Sequence, residues 1–191
     1  MNIGHLEKRK NQSLIIDIAN SMKHKRGDFL FALVGKGEDF DKLQDLIRKN
    51  DLTDYVVLLG HHENVIPVLK SADIYLHTAL NENCPLVILE AIAAGVPVVS
   101  LAVGGIPELL QQQDVLFHPQ STPETIASAL SILLEDTEKR ESIQSEQYAD
   151  GIRNFDIQTM TQNYMAYYQR IIKHANHRNA AATPEVLMQK M

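Results

Sequence analysis

Two carboxylates eight positions apart frame the segment ENCPLVILEAIAAGVPVV, residues 82–99. Glu82 stands just before Pro85, and Glu90 interrupts a run from Leu86 to Ala94 that is otherwise apolar. A proline in the first turn and Gly95 just past the last one predict a helix over Pro85–Ala94. At its entrance the N–H groups of Asn83, Cys84 and Leu86 have no helical acceptor and can serve an anion or hydroxyls. Glu90 lies about one and a half turns in, still within reach of a polyol placed over that end. Carboxylates accept paired hydroxyl hydrogen bonds well, as ribose recognition shows. Phosphate on the amides and hydroxyls on the carboxylates would suit a nucleotide-sugar. Taken alone, Glu90 could equally be one exposed helix position.

A second set of candidates is Gly4-His5-Leu6-Glu7-Lys8-Arg9-Lys10-Asn11. Gly4 lets the backbone turn closely, and Lys10 offers a cation at the start of a helix. A solvated basic loop would also explain it. Gly35-Lys36-Gly37 and Gly104-Gly105 are further turns after apolar runs. Gly35-Lys36-Gly37 is not a Walker loop, since no G-K-[ST] follows, and it is too short for a dinucleotide fingerprint. Each is a plain turn by itself. Together they fall on one edge of the sheet described next.

The elements that must position these residues follow from periodicity. Asp28–Val34, Tyr55–Leu59, Ile74–Leu76, Val96–Ser100 and Val115–Phe117 read as short apolar strands. Helical spacing marks Asn11–Lys23, Phe40–Asn50, Val65–Ser71, Ile106–Gln111, Pro123–Glu135, Glu138–Tyr148 and Ile157–His174. Strands alternating with helices imply parallel strands and crossovers, and strands this apolar are covered on both faces. The fold class is therefore α/β, a doubly wound, Rossmann-like parallel sheet whose ligands bind at the carboxyl ends of its strands. Residues 1–174 form the domain, and 175–191 a flexible tail whose histidines are not expected to bind a metal. Only Met1-Asn2-Ile3 precedes Gly4, so the first strand is expected to be truncated.

The chain has 191 residues, a net charge of −6 and 45% hydrophobic residues. That composition is globular, and without a basic stripe it argues against a nucleic-acid partner. No apolar run is long enough to span a membrane. One cysteine, Cys84, cannot form an internal disulfide, which points to a reducing, cytoplasmic setting.

These motifs resemble the C-terminal, donor-binding domain of the retaining GT-B glycosyltransferases of family 4. Glu82-x7-Glu90 is similar to the paired glutamates of that group, and ENCPLVILEAIAAGVPVVS resembles its EGFPLVLLEAMAAGVPVVA. Gly4-His5-Leu6 with Lys10 resembles its G-R-L-x3-K segment, with His5 where the family has Arg. Val34–Asp39, the Leu59-Gly60 turn, Ser71-Ala72-Asp73 and Gly104–Glu108 follow in family order. The resemblance covers residues 1 to about 173. It implies one half of a GT-B fold and the transfer of a glycosyl group from a UDP- or GDP-linked donor. Lys10 would hold the pyrophosphate and Glu90 the ribose. Glu82, the catalytic candidate, would orient the transferred sugar together with the amides after it. Gly4, His5, Gly35 and Gly105 would complete the donor site, and Gly60–Val65 would border the base. No metal or other cofactor is implied. The acceptor side would come from an N-terminal domain, on another chain if not on this one, and an apolar face on Ile157–His174 would invite a partner or self-association. The alternatives are a binding module without turnover and a GT-B nucleotide-sugar epimerase fragment.

Overall fold

The computed structural model describes residues 1–181, in two compact units that divide after Gly151. The first holds the sheet. Strands β1 (Asn2–Ile3), β2 (Phe31–Val34) and β3 (Val56–Gly60) form one parallel ladder, and β4 (Tyr75–His77), β5 (Val98–Leu101) and β6 (Leu116–Phe117) form another. The two abut through β1 and β4. The Met1 nitrogen donates to the Ile74 carbonyl at 2.7 Å, and the Leu76 N–H donates to the Met1 carbonyl at 2.8 Å. That is the parallel pattern around Tyr75, so the strands run in the order β3-β2-β1-β4-β5-β6. Connections reverse direction between β1 and β4, and such a switch point opens a crevice at the carboxyl ends.

The helices of this unit are α1 (Ser13–Lys23), α2 (Phe40–Lys49), α3 (Ile66–Leu69), α4 (Leu86–Ala93), α5 (Ile106–Leu109), α6 (Pro123–Glu135) and α7 (Thr137–Phe155), the last crossing into the second unit. Helix α1 turns Ile15, Ile18, Ala19 and Met22 inward at helical spacing and packs on α6. Ile88, Ala91 and Ile92 of α4 face β4 and β5. The Thr122 hydroxyl caps α6, accepting from the Thr125 N–H at 3.3 Å.

The expected elements are present with altered ends. Asp28–Leu30 does not extend β2, because the two residues of β1 offer no ladder partner that far back. Helix α7 continues beyond Tyr148 through Gly151. The glycine is needed there, since a Cβ would come within 2.7 Å of Ile92 Cγ2 on α4. One side chain on α7 replaces a strand. Buried Gln147 accepts from the Val98 N–H at 2.7 Å and donates to the Val98 carbonyl at 2.9 Å. The edge of β5 that β6 is too short to reach is thereby paired.

In the second unit, α8 (Ile157–Ala181) runs past the expected end at His174, so residues 175–181 are helical. Residues 182–191, the rest of the expected tail, lie outside the described residues. Tyr164, Tyr167, Tyr168 and Ile171 are all about half exposed along α8.

Candidate functional site

The loop after β1 and the loop after β4 meet at the switch point. Lys8–Lys10 forms a 3-10 turn, and left-handed Asn11 hands the chain on towards α1. The Leu80 N–H donates to the Arg9 carbonyl at 2.9 Å, and the Thr78 hydroxyl to the Lys10 carbonyl at 3.0 Å. These bonds hold Lys10 opposite Glu82, and the two side chains form an ion pair. Arg9 stands on the outer side. Its guanidinium is 2.7 Å from Glu7, donates to the Asn81 carbonyl at 3.2 Å and lies 3.6 Å from Glu82. Lys10 and Glu82 are mostly shielded, with 17% and 10% of their side chains exposed. Their attraction is therefore stronger than that of a surface pair.

Glycines set the loops against one another. A Cβ on Gly35, where φ is +146°, would sit 1.8 Å from the Gly4 carbonyl oxygen. One on Gly104, where φ is +53°, would sit 1.6 Å from the Glu82 carbonyl oxygen. One on Gly105 would meet the Asn83 carbonyl oxygen at 2.1 Å. The turns after β2 and β5 thus carry the loops that follow β1 and β4. Gly4 itself lies beneath the Lys10 stem, with Cε 3.9 Å from the place of a Cβ.

Gly4, His5 and Gly35 line a cleft of ≈ 290 Å³ with Lys36, His61 and His62. Asn83, Cys84 and Leu86 are exposed at the entrance of α4. Glu90 is half-buried, and among the described residues it has no ion pair. Burial is the main force holding the Tyr75 phenol protonated, and Glu82 and Glu90 reinforce it. A larger cavity of ≈ 580 Å³ lies at the other end of the strands, lined by Phe29, Leu30, Ala72 and other mostly apolar residues. It holds none of the candidate residues, and it is too poor in polar groups to direct this chemistry.

The family model of glycosyl transferases group 1 matches residues 1–150. The chain belongs to that family. The N-acetyl-alpha-D-glucosaminyl L-malate synthase of Bacillus anthracis is 27% identical over 179 residues, covering 86% of this chain and 47% of the relative. The phosphatidylinositol N-acetylglucosaminyltransferase GPI3 subunit of Saccharomyces cerevisiae is 33% identical over 129 residues, covering 66% and 28%. The chain thus spans less than half the length of either. Among solved structures, Anabaena HepE in complex with UDP superposes with a TM-score of 0.78 at 26% identity, over 88% of this chain and 48% of that one. The catalytic domain of the Helicobacter pylori cholesterol-alpha-glucosyltransferase gives 0.70 at 25%, over 80% and 96%.

In this glycosyl transferases group 1 chain the site contains residues that spacing did not single out. His77, the last residue of β4, is 2% exposed. Its Nδ1 is 3.2 Å from the Tyr75 hydroxyl, and its Nε2 is 3.6 Å from Glu82. Burial pulls the imidazole down to about 4. Glu82 works against that shift, and the Lys10 ammonium adds to it. A polar residue at the carboxyl end of an apolar strand was the available signal. Arg9 stands within the Gly4–Asn11 set of candidates, but its spacing gave it no role of its own.

Proposed function

We propose that the chain is the donor-binding half of a retaining GT-B glycosyltransferase, taking a nucleoside diphosphate sugar at the β1/β4 switch point. The observation that carries this is the shielded Lys10–Glu82 pair at the carboxyl edge, set between the Gly4–Gly35 cleft and the open end of α4. Lys10, aided by Arg9, offsets the diphosphate charge. Glu90 accepts from the ribose hydroxyls. Glu82 and the N–H groups of Asn83, Cys84 and Leu86 orient the transferred sugar. His5, Lys36 and the His61–Val65 loop border the base. Charge on the leaving diphosphate is offset by fixed cations and amides, so the reading includes no metal or other cofactor. Crystals of HepE with UDP and with UDP-glucose support a uridine nucleotide. Transfer itself is assigned to this chain together with an N-terminal domain that supplies the acceptor wall. A cytoplasmic setting, in keeping with the exposed thiol of Cys84, belongs to the same proposal.

Calorimetry with UDP, GDP and their glucose and N-acetylglucosamine esters tests it. One nucleotide class should bind, and Lys10→Met should weaken it about tenfold or more, the usual cost of a lost charge-assisted hydrogen bond. No heat from any of them with a folded chain overturns the reading.

A further inference from the structure

His77 is a buried side chain with half its hydrogen bonding unmet. Among the described residues Nε2 has no hydrogen-bond partner, and it points at Glu82 from 3.6 Å, beyond hydrogen-bond range. The other nitrogen determines what Nε2 can do. Tyr75 has one hydroxyl proton, with the Ile3 carbonyl and His77 Nδ1 both at 3.2 Å. If that proton goes to Ile3, Nδ1 must carry the imidazole hydrogen, and the Nε2 lone pair then faces a carboxylate. If it goes to Nδ1, Nε2 carries the hydrogen and faces an acceptor. The carboxylate favours the second arrangement. A small rotation of Glu82 would then complete an Nε2–H···O bond. What opposes that rotation is the ammonium of Lys10, which holds the same oxygen.

We propose that Glu82 has two alternative partners, Lys10 in the free protein and His77 when Lys10 is drawn to an anion, so that His77 positions the Glu82 carboxylate at the moment the site is filled. The inference rests on the reading that Lys10 serves a diphosphate, and it concerns a residue outside the paired-glutamate motif. An anion that took Lys10 without such a replacement would leave the shielded Glu82 with only the half-exposed Arg9 guanidinium, 3.6 Å away, which is costly. His77 removes that cost. The groups acting on the imidazole are Glu82, Lys10 and Tyr75. Arg9 acts on it only through Glu82, and Glu90 only through Tyr75. Moving Lys10 away removes a cation that disfavours the imidazolium and leaves the anion that favours it. His77 then takes a proton from solvent more readily, and the carboxylate gains a charged donor.

The test needs no ligand in its first arm. Ring NMR of His77, assigned by its loss in His77→Gln, is followed against pH in the 191-residue chain. In Lys10→Met, or in the milder Lys10→Gln, proton affinity at His77 should rise about tenfold or more. Adding Glu82→Gln should reverse most of that rise. An unchanged titration in the Lys10 variants would mean that Arg9 captures Glu82, and it overturns the inference. A rise that persists without the Glu82 carboxylate overturns it too. In a second arm UDP is added to wild type near pH 6, with calorimetry in buffers of different ionisation enthalpy. Proton uptake and a shifted His77 signal support the inference. UDP binding with His77 unmoved overturns it while leaving the proposed function standing. If neither UDP nor GDP binds, the proposed function is overturned and the first arm decides the Glu82 exchange alone; if GDP binds instead, it takes the place of UDP in the second arm.

Discussion

Glu82 closes on Lys10 across the junction of β1 and β4, and the pair is shielded on both sides. A diphosphate that uses Lys10 must first compete with that carboxylate. Glu82→Gln should therefore raise the affinity for UDP alone, because the ammonium is no longer neutralised. The same change should shrink the extra affinity of a UDP-sugar over UDP, because the sugar loses a charged acceptor worth about 1.5–3 kcal/mol. Calorimetry on both ligands checks the two signs together. Weaker binding of UDP itself would mean that Glu82 does not compete for Lys10, and an unchanged sugar increment would remove Glu82 from the sugar side of the site.

Glu90 carries a different share. It is half-buried and without an ion pair among the described residues, so its loss should cost little in stability. Glu90→Gln should weaken UDP binding about tenfold. With 2′-deoxy-UDP the loss should be smaller, since one of the hydroxyls it serves is gone. Equal losses with both nucleotides would argue against a ribose contact.

The alternation of apolar strands and helices made the architecture legible, and paired glutamates beside a helix entrance made half of the candidate site legible. What the sequence hid was contact across loops. Nothing in the spacing of Gly104 says that a Cβ there would strike the Glu82 carbonyl, 22 residues earlier in the chain. Nor does GK after β2 reveal that Gly35 supports Gly4. The expected helix Glu138–Tyr148 stops short of Gly151, because glycine is costly in a helix and the spacing does not show Ile92, whose Cγ2 lies 2.7 Å from the place of a Cβ there. His77 directly follows the apolar run Ile74–Leu76, and its link to Glu82 depends on the three-dimensional turn at 78–81.

Gln147 offers a test of the frame that holds β5. Its amide pairs both backbone groups of Val98 in a buried setting. Gln147→Ala should leave a donor and an acceptor unmet and cost about 2–4 kcal/mol, read from urea unfolding. Gln147→Glu should be nearly as harmful at neutral pH, where a carboxylate would face the Val98 carbonyl. A loss below 1 kcal/mol (on the order of a surface change) would mean that water replaces the amide.

The last prediction concerns acid. His77 has its pKa lowered to about 4 by burial, against an ordinary value of 6.5. Folded and unfolded chains therefore bind protons differently between these values. Above about pH 6.5 both hold a neutral imidazole, and this residue takes nothing from stability. As pH falls towards about 4 the unfolded chain takes up a proton that the folded chain refuses, so stability declines. The full effect is on the order of 3 kcal/mol, at about 1.4 kcal/mol for each pH unit between the two values. His77→Asn keeps a polar side chain without a group that titrates in this range. The difference in unfolding free energy between wild type and His77→Asn, measured at pH 7 and again at pH 4.5, cancels the carboxylates common to both. It should move against the wild type by about 2 kcal/mol on acidification. A difference that stays constant between the two pH values would show that the folded protein accepts the imidazolium. The Tyr75–His77–Glu82 chain would then already be charged before any anion reaches Lys10.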